Sequence, residues 1–259
     1  MLVGMDRFFG QRKRKVDFLI CGTQRGGTSA LYRYVREHPE ICWARRKEVH
    51  YFDSERHFRR KPQYSKYHSF FNPQSSHKVL GEATPAYMYW YDAPRRIWEY
   101  NPSIKLIIIL RNPIDRAYSH WNLLRHRTPN VSFWEAIQNE RERCRSALPL
   151  QHRSYSYVDR GFYLEQLRRL WTYFEQKQML ILRNEDLRRR PQEVVDKICR
   201  FLEINPLPEL KPAVEHQPRY PYSGPMGVRE RDYLRHIFEY EIRDLERVLG
   251  WDCSRWLAD

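Results

Sequence analysis

Paired cysteines, long apolar runs and the lysine of nucleotide triphosphatases are all missing from this chain. Its five cysteines, Cys21, Cys42, Cys144, Cys199 and Cys253, are odd in number, scattered, and form no C-x-x-C pair. That argues against a disulfide scaffold and a structural zinc site, and it suits a reducing compartment. No apolar stretch approaches the ~20 residues needed to cross a bilayer. Met1 to Met5 is too short for the apolar core of a secretory signal. Acidic residues are outnumbered, with 32 Asp and Glu against 46 Lys and Arg and a formal net charge of +14. Such a surface draws anions: nucleic acid, acidic lipid, acidic glycan or a phosphorylated cofactor. Neither zinc-finger spacing nor an RNP-type motif accompanies the charge, so the motifs do not point to nucleic acid. Internal repeats and low-complexity segments are absent too. What remains is 259 residues, 41% hydrophobic and 15% aromatic, enough for a sizeable core in one large domain.

The stretch Asp17–Leu31, DFLICGTQRGGTSAL, organises the chain. Phe18 to Cys21 is a short apolar run suited to a strand buried on both faces. Gly22 opens a loop that ends in Gly26, Gly27, Thr28 and Ser29. A helical pattern follows at Ala30, Leu31, Tyr34 and Val35, and Pro39 stops it. Strand, glycine-rich loop and helix together wrap backbone N–H groups around an anion at a helix N-terminus. The spacing of Gly22 and Gly27 is that of G-x-x-x-x-G-K-[ST], but Thr28 holds the lysine position and the cation is Arg25, inside the loop. A loop without that lysine is poorly made for ATP hydrolysis. It suits an anion that needs backbone donors, hydroxyls and one guanidinium. The plainer alternative is a tight turn whose glycines serve packing.

A second apolar run, Leu106 to Leu110, ends directly in Arg111, and Asn112-Pro113 turns the chain into a helix near Ile114 or Asp115. Arg111 and Ser119 therefore flank a strand-to-helix turn on the side where open α/β sheets bind ligands. Arg111 offers a fork matched to phosphate, and Ser119 a hydroxyl about one helical turn inside. Lys78 to Glu82 and Met179 to Leu182 complete a set of four strand candidates. Ile41 to Phe52 reads as loop and short extended structure, in which Glu48 and His50, two apart, share a side. Residues 54–77 read as a polar, aromatic excursion with short helices, and Tyr87 to Tyr100 as helical or irregular. Ser132-x-x-Glu135 is a capping box opening a helix to about Arg143. Residues 144–158 read as a mobile, lid-like loop. Tyr163, Leu164, Leu167, Leu170, Trp171 and Phe174 recur at helical spacing as a core stripe. Pro191 starts another helix, with Val194, Val195, Ile198 and Leu202 inward. The last helix spans Glu230 to Leu249, with Leu234, Ile237, Phe238, Leu245 and Val248 buried. Six prolines between 206 and 225 preclude regular structure there. Residues 1–15 form a basic arm and residues 16–259 one folded domain.

These motifs resemble the sulfotransferases that use 3′-phosphoadenosine 5′-phosphosulfate (PAPS), and within them the heparan sulfate and bacterial carbohydrate branch. Cys21 to Leu31 is similar to the 5′-phosphosulfate loop, and Arg111 through Ser119 to the 3′-phosphate motif. Lys47 to Asp53 resembles a K-E-x-H-F-F segment, and Gly81 to Tyr87 an E-K-T-P-x-Y block. Arg160 to Tyr163 and Leu180 to Leu187 match further, so the resemblance runs from Asp17 to about Leu257. It implies an α/β, P-loop-like three-layer fold with a central, mainly parallel β-sheet flanked by helices. It also implies sulfuryl transfer from PAPS, leaving adenosine 3′,5′-bisphosphate (PAP), to a hydroxyl or amine of a glycan, glycolipid or other small acceptor. No metal is required.

The resemblance further implies roles. Glu48 is the general base, with His50 the second candidate and Lys47 and Arg25 keeping Glu48 ionised. Arg25 acts electrostatically on the leaving phosphate, since arginine does not give up its proton at working pH. Gln24, Arg25, Gly26, Gly27, Thr28 and Ser29 hold the 5′ side of the donor, and Arg111 and Ser119 the 3′-phosphate. Arg219 stands where the branch has a K-G-R grip, without the lysine and glycine. Glu82 and Thr84 are assigned to the acceptor side. An anionic acceptor and peripheral membrane contact are both compatible with this reading. The compartment expected is the bacterial cytoplasm, unless the chain is the catalytic domain of an anchored protein. The competing readings are a P-loop kinase, which would need lysine at 28 and a strand-end aspartate, and a non-enzymatic polyanion binder, which would leave Arg111 and Ser119 without a purpose.

Overall fold

A computed structural model describes residues 14–208, 210 and 222–258. Five strands form its sheet: β1 (Phe18–Gly22), β2 (Ile41–Trp43), β3 (Val79–Ala83), β4 (Lys105–Leu110) and β5 (Met179–Arg183). They lie in the order β2-β3-β1-β4-β5, and every pairing is parallel. Four of them match the apolar runs in the sequence to within a residue at either end. β2 is the one not counted as a strand; at three residues it is too short to carry a period.

The sheet is covered on both faces, which is why its strands are apolar without alternation. Leu19, Cys21, Leu106, Ile108 and Leu110 face one core cluster, and Phe18, Ile20, Ile107 and Ile109 face the other. Helices Thr28–Val35 and Pro191–Leu202 close the second cluster through Leu31, Val35, Val194, Val195, Ile198 and Leu202. Helices Ala93–Tyr100, Pro113–Leu124, Tyr163–Trp171 and Val228–Leu249 close the first. The result is the three-layer α/β arrangement expected from the motifs. From β1 the chain goes out to β2 and returns through β3, then crosses to β4 and β5 on the other side of β1. That reversal leaves a crevice beyond the carboxyl ends of β1 and β4.

Several local expectations change. The capping box at Ser132 and Glu135 forms, but its helix ends at Gln138 and a second begins at Glu140. The stretch 144–158 is not a free lid: residues 144–146 belong to the helix Glu140–Ser146, Ser156 and Tyr157 are buried, and the buried Glu140 carboxylate accepts the N–H groups of Tyr157, Val158 and Asp159. On the long C-terminal helix Val248 is 49% exposed and Ile242 takes the inward place. Arg14, assigned to the basic arm, is tied to the body through the His77 carbonyl and Asp17. The described residues contain no helix long and apolar enough to cross a membrane.

Candidate active site

The loop after β1 is held by backbone and by one distant side chain. Thr23 N–H donates to the Ile109 carbonyl at 3.0 Å, and Gly26 N–H to the Thr23 carbonyl at 2.9 Å. Asn184, at the end of β5, donates its Nδ2 to the Gly26 carbonyl at 2.9 Å. Gly27 then caps helix Thr28–Val35 with φ +116°, a region that side chains rarely enter. A Cβ on Gly27 would stand 2.3 Å from Asn184 Nδ2, and one on Gly26 2.5 Å from the Ile109 carbonyl oxygen. Close backbone approach thus requires glycine at 26, and the left-handed φ requires it at 27.

Beyond this loop lies a cleft of about 270 Å³ lined by Gln24, Arg25, Gly27, Ser29, Glu48, Arg111 and Ser119, with Ala30, Arg33, Leu123, Asn184 and Tyr222. Seven residues named from the sequence converge on it from three separate segments. Three arginines, Arg25, Arg33 and Arg111, face one carboxylate, Glu48. Arg33 Nε and Gln24 Oε1 are buried without a partner. Arg25 Nε donates to Ser119 Oγ at 3.0 Å, and the Tyr222 hydroxyl donates to the same oxygen at 2.8 Å. Burial works to raise the Tyr222 phenol, but Ser119 and the charges of Arg111 and Arg25 bring it below its ordinary value. Larger cavities of about 550 and 500 Å³ lie elsewhere. Neither includes a residue of the glycine-rich loop, so donor chemistry rather than size marks the site. Guanidiniums, hydroxyls and a helix N-terminus gathered in one cleft fit a polyphosphorylated anion.

Glu48 enters from the segment between β2 and β3. Glu48 and His50 are not extended as expected: both have left-handed backbone, with φ 59° and 56°. Their side chains meet nevertheless. Glu48 Oε1 lies 2.7 Å from Lys47 Nζ, and Oε2 lies 3.5 Å from His50 Nε2. His50 Nδ1 is 2.8 Å from Oδ2 of the buried Asp53, which Arg153 approaches at 3.3 Å. Burial favours the protonated form of Glu48, but hydrogen bonding to His50 and the charge of Lys47 outweigh it and hold the carboxyl at about 2. Hydrogen bonds to Asp53 and Glu48 push His50 up to about 9. His50 therefore carries its proton at neutral pH. The hydrogen-bonding partners of Glu48 are Lys47 and His50, while Arg25 is bonded to Ser119.

Glu82 and Thr84 do not line the cleft. Both are wholly buried. The Glu82 carboxylate accepts from the Tyr67 hydroxyl at 2.7 Å, from Tyr87 at 3.1 and 3.2 Å, and from Thr84. Burial raises its pKa despite those donors. This polar knot carries the Glu48 turn: Glu48 N–H donates to the Ala83 carbonyl at 3.0 Å, and Tyr51 N–H to the Tyr87 hydroxyl at 2.9 Å. Thr28 is buried at the helix start and Gly26 inside the loop, so neither side of the cleft displays them. Arg219 lies outside the described residues.

A family model described as "Sulfotransferase domain" matches residues 15–217. The chain belongs to the sulfotransferase family. Among curated proteins, this sulfotransferase is similar to heparan sulfate glucosamine 3-O-sulfotransferase 6 of Homo sapiens. The two are 31% identical over 191 residues, 74% of this chain and 53% of that protein. The chain thus spans about half the length of that relative. Among solved structures, a sulfotransferase from Alicyclobacillus acidocaldarius aligns with TM-score 0.79 and 27% identity, over 94% of this chain and 99% of that one. A mouse sulfotransferase complexed with PAP aligns at TM-score 0.50 and 13% identity, over 94% of this chain and 88% of its own, which speaks for the fold alone.

Sequence reasoning missed Asn184, Tyr222 and Arg33. Asn184 stands just after β5, as Arg111 stands just after β4, so the rule that ligands bind beyond strand carboxyl ends would have found it. Arg33 lies one turn beyond Ser29 on the helix that the loop opens. Tyr222 had no signal: it reaches Ser119 across 103 positions.

Proposed function

We propose that this sulfotransferase transfers a sulfuryl group from PAPS to a hydroxyl or amine of a glycan or related small acceptor. The observation that carries the proposal is a single cleft that brings Arg25, Arg111 and Ser119 together with Glu48. PAPS, when bound, supplies the sulfuryl group and leaves as PAP. Gln24, Arg25, Gly27 and Ser29 would hold its 5′ side, with the buried Gly26 and Thr28 shaping the loop behind them, and Arg111 and Ser119 its 3′-phosphate. Arg25 carries a fixed positive charge where negative charge grows on the leaving group. Glu48 takes the acceptor proton; 38% exposure of its side chain leaves it reachable. His50, already protonated, is the weaker candidate for base and serves as the cation that orients Glu48. A low-pKa carboxylate suffices because bonding to sulfur acidifies the acceptor oxygen. The glycan acceptor in the relative's name and the net charge of +14 favour an acidic glycan. Five free thiols suit the cytoplasm.

The test is isothermal titration of PAP, without metal, into wild type and Arg111→Ala. Loss of a charge-assisted phosphate contact weakens binding about tenfold or more. Transfer from labelled PAPS to an acceptor panel then disappears in Glu48→Gln. Failure of the wild type to bind PAP would sink the proposal.

A further inference from the structure

Ser119 is 1% exposed, yet two donors converge on its hydroxyl oxygen, Arg25 Nε at 3.0 Å and the Tyr222 hydroxyl at 2.8 Å. A serine hydroxyl has one proton to give and two lone pairs to fill. Here both lone pairs are taken. No acceptor among the described residues receives the proton, and the open side is the cleft that Arg111 lines. A hydroxyl that accepts two hydrogen bonds, one from a cation, is a stronger donor than a free one, because the bonds polarise one another.

The position of Tyr222 is enforced from both sides of Ser119. One residue before the serine, the Tyr118 hydroxyl donates to the carbonyls of Gly224 and Pro225 at 2.8 and 3.2 Å. Three residues after it, Asn122 Oδ1 accepts the Ser223 N–H at 3.1 Å. The Tyr222 ring also lies 5.9 Å from that of Tyr118. Helix Pro113–Leu124 thus fastens the segment 222–225 along the face that presents Ser119, and the phenol is delivered onto the serine.

We infer that Tyr222 is a positioning residue for the donor nucleotide: with Arg25 it fills the lone pairs of Ser119 and commits the serine proton to the anion held between Ser119 and Arg111. This rests on the PAPS reading. Tyr222 acts through the serine, and its effect is confined to ligands that bear the 3′-phosphate.

The experiment titrates PAP and adenosine 5′-monophosphate into wild type, Tyr222→Phe, Ser119→Ala and the double variant. Phenylalanine keeps the ring beside Tyr118 and removes the hydroxyl that Ser119 and Arg25 share. The expected result is a five- to tenfold loss of PAP affinity in Tyr222→Phe, on the order of one hydrogen bond. Affinity for the monophosphate stays unchanged, and Tyr222→Phe causes no further loss once Ser119 is alanine. Equal losses for both nucleotides, losses that add in the double variant, or an effect under about twofold would each overturn the inference while leaving the PAPS reading in place. A wild type that binds neither nucleotide would overturn both.

Discussion

Glu48 and His50 compete for the role of base, and their opposed electrostatics make the choice measurable. The perturbation is pH, applied to the rate with a hydroxyl acceptor. His50 sits at about 9, so at pH 7 only about 1% of it is neutral. Were His50 the base, kcat/KM would climb about tenfold per pH unit from pH 6 and level off near 9. Glu48 sits at about 2 and is fully ionised throughout that range. With Glu48 as base the profile is flat from about pH 5 to 8. The variant His50→Gln sharpens the test. At 3.5 Å, opposite charges attract by about 5 kcal/mol at an effective dielectric constant of 20. Both side chains are about two-fifths exposed, so screening leaves a fraction of that. The acid limb in His50→Gln should therefore move up by about one pH unit towards the ordinary glutamate value, with Lys47 still in place. Initial rates from labelled PAPS in constant-ionic-strength buffers suffice. A wild-type rate rising about fiftyfold between pH 7 and 9, with the same rise in Glu48→Gln, would refute the assignment.

Asp53→Asn should return His50 from about 9 towards its ordinary 6.5. Because the folded-state value is raised, the wild type gains this stability below about pH 6.5 and loses it as pH rises through 9. The gap in denaturation midpoint between wild type and variant should accordingly narrow from pH 7 to 9; a constant gap would assign the loss to packing. Gly27→Ala sets a Cβ 2.3 Å from Asn184 Nδ2 at φ +116° and should weaken PAP binding more than tenfold by titration; unchanged affinity would show that the loop does not contact the ligand. Glu82→Ala strands the hydroxyls of Tyr67, Tyr87 and Thr84 in a dry interior. Urea denaturation should report a loss of about 3 kcal/mol, and a loss below about 1 kcal/mol would mean that water reaches the knot.

The frame of the fold was legible because a strand buried on both faces must be a short apolar run. Such runs stand out at Phe18, Leu106 and Met179 in a chain that is otherwise polar. The helices at Tyr163 and Pro191 declared themselves by the 3.6-residue period of their buried residues. Legibility failed where burial is decided by partners far along the chain. β2 is a strand because β3 pairs with it, not because Ile41 to Trp43 has a pattern. The end of the stretch 144–158 looks like a polar loop, yet Glu140 accepts the N–H groups of Tyr157, Val158 and Asp159 and lets the chain sink there. Val248 fits the helical stripe, but it lies one residue before the helix ends and stays half exposed there.

The same division runs through the site. Glu48 and Glu82 are both acidic residues of segments that resemble one family, and residue type cannot separate them. Tertiary partners do. Glu82 lies on β3 opposite Leu19 of β1, and its side chain meets three hydroxyls in the core. Glu48 lies on a left-handed turn stacked above that knot, which lifts its carboxylate to the cleft. One carboxylate is therefore buried in the core and the other reaches the cleft. What sequence does determine is the set of positions from which such choices are made. In a parallel sheet every strand ends on the same side, so the residues just after β1, β3, β4 and β5 are delivered to one edge. Three of those ends reach the cleft, through Gln24 and Arg25, through Arg111, and through Asn184. The fourth, Thr84, is roofed by the Glu48 turn and becomes its support. A residue's place beyond a strand end thus marks it as a candidate, and whether a neighbouring turn covers that end decides between contact with ligand and support of the group that makes it.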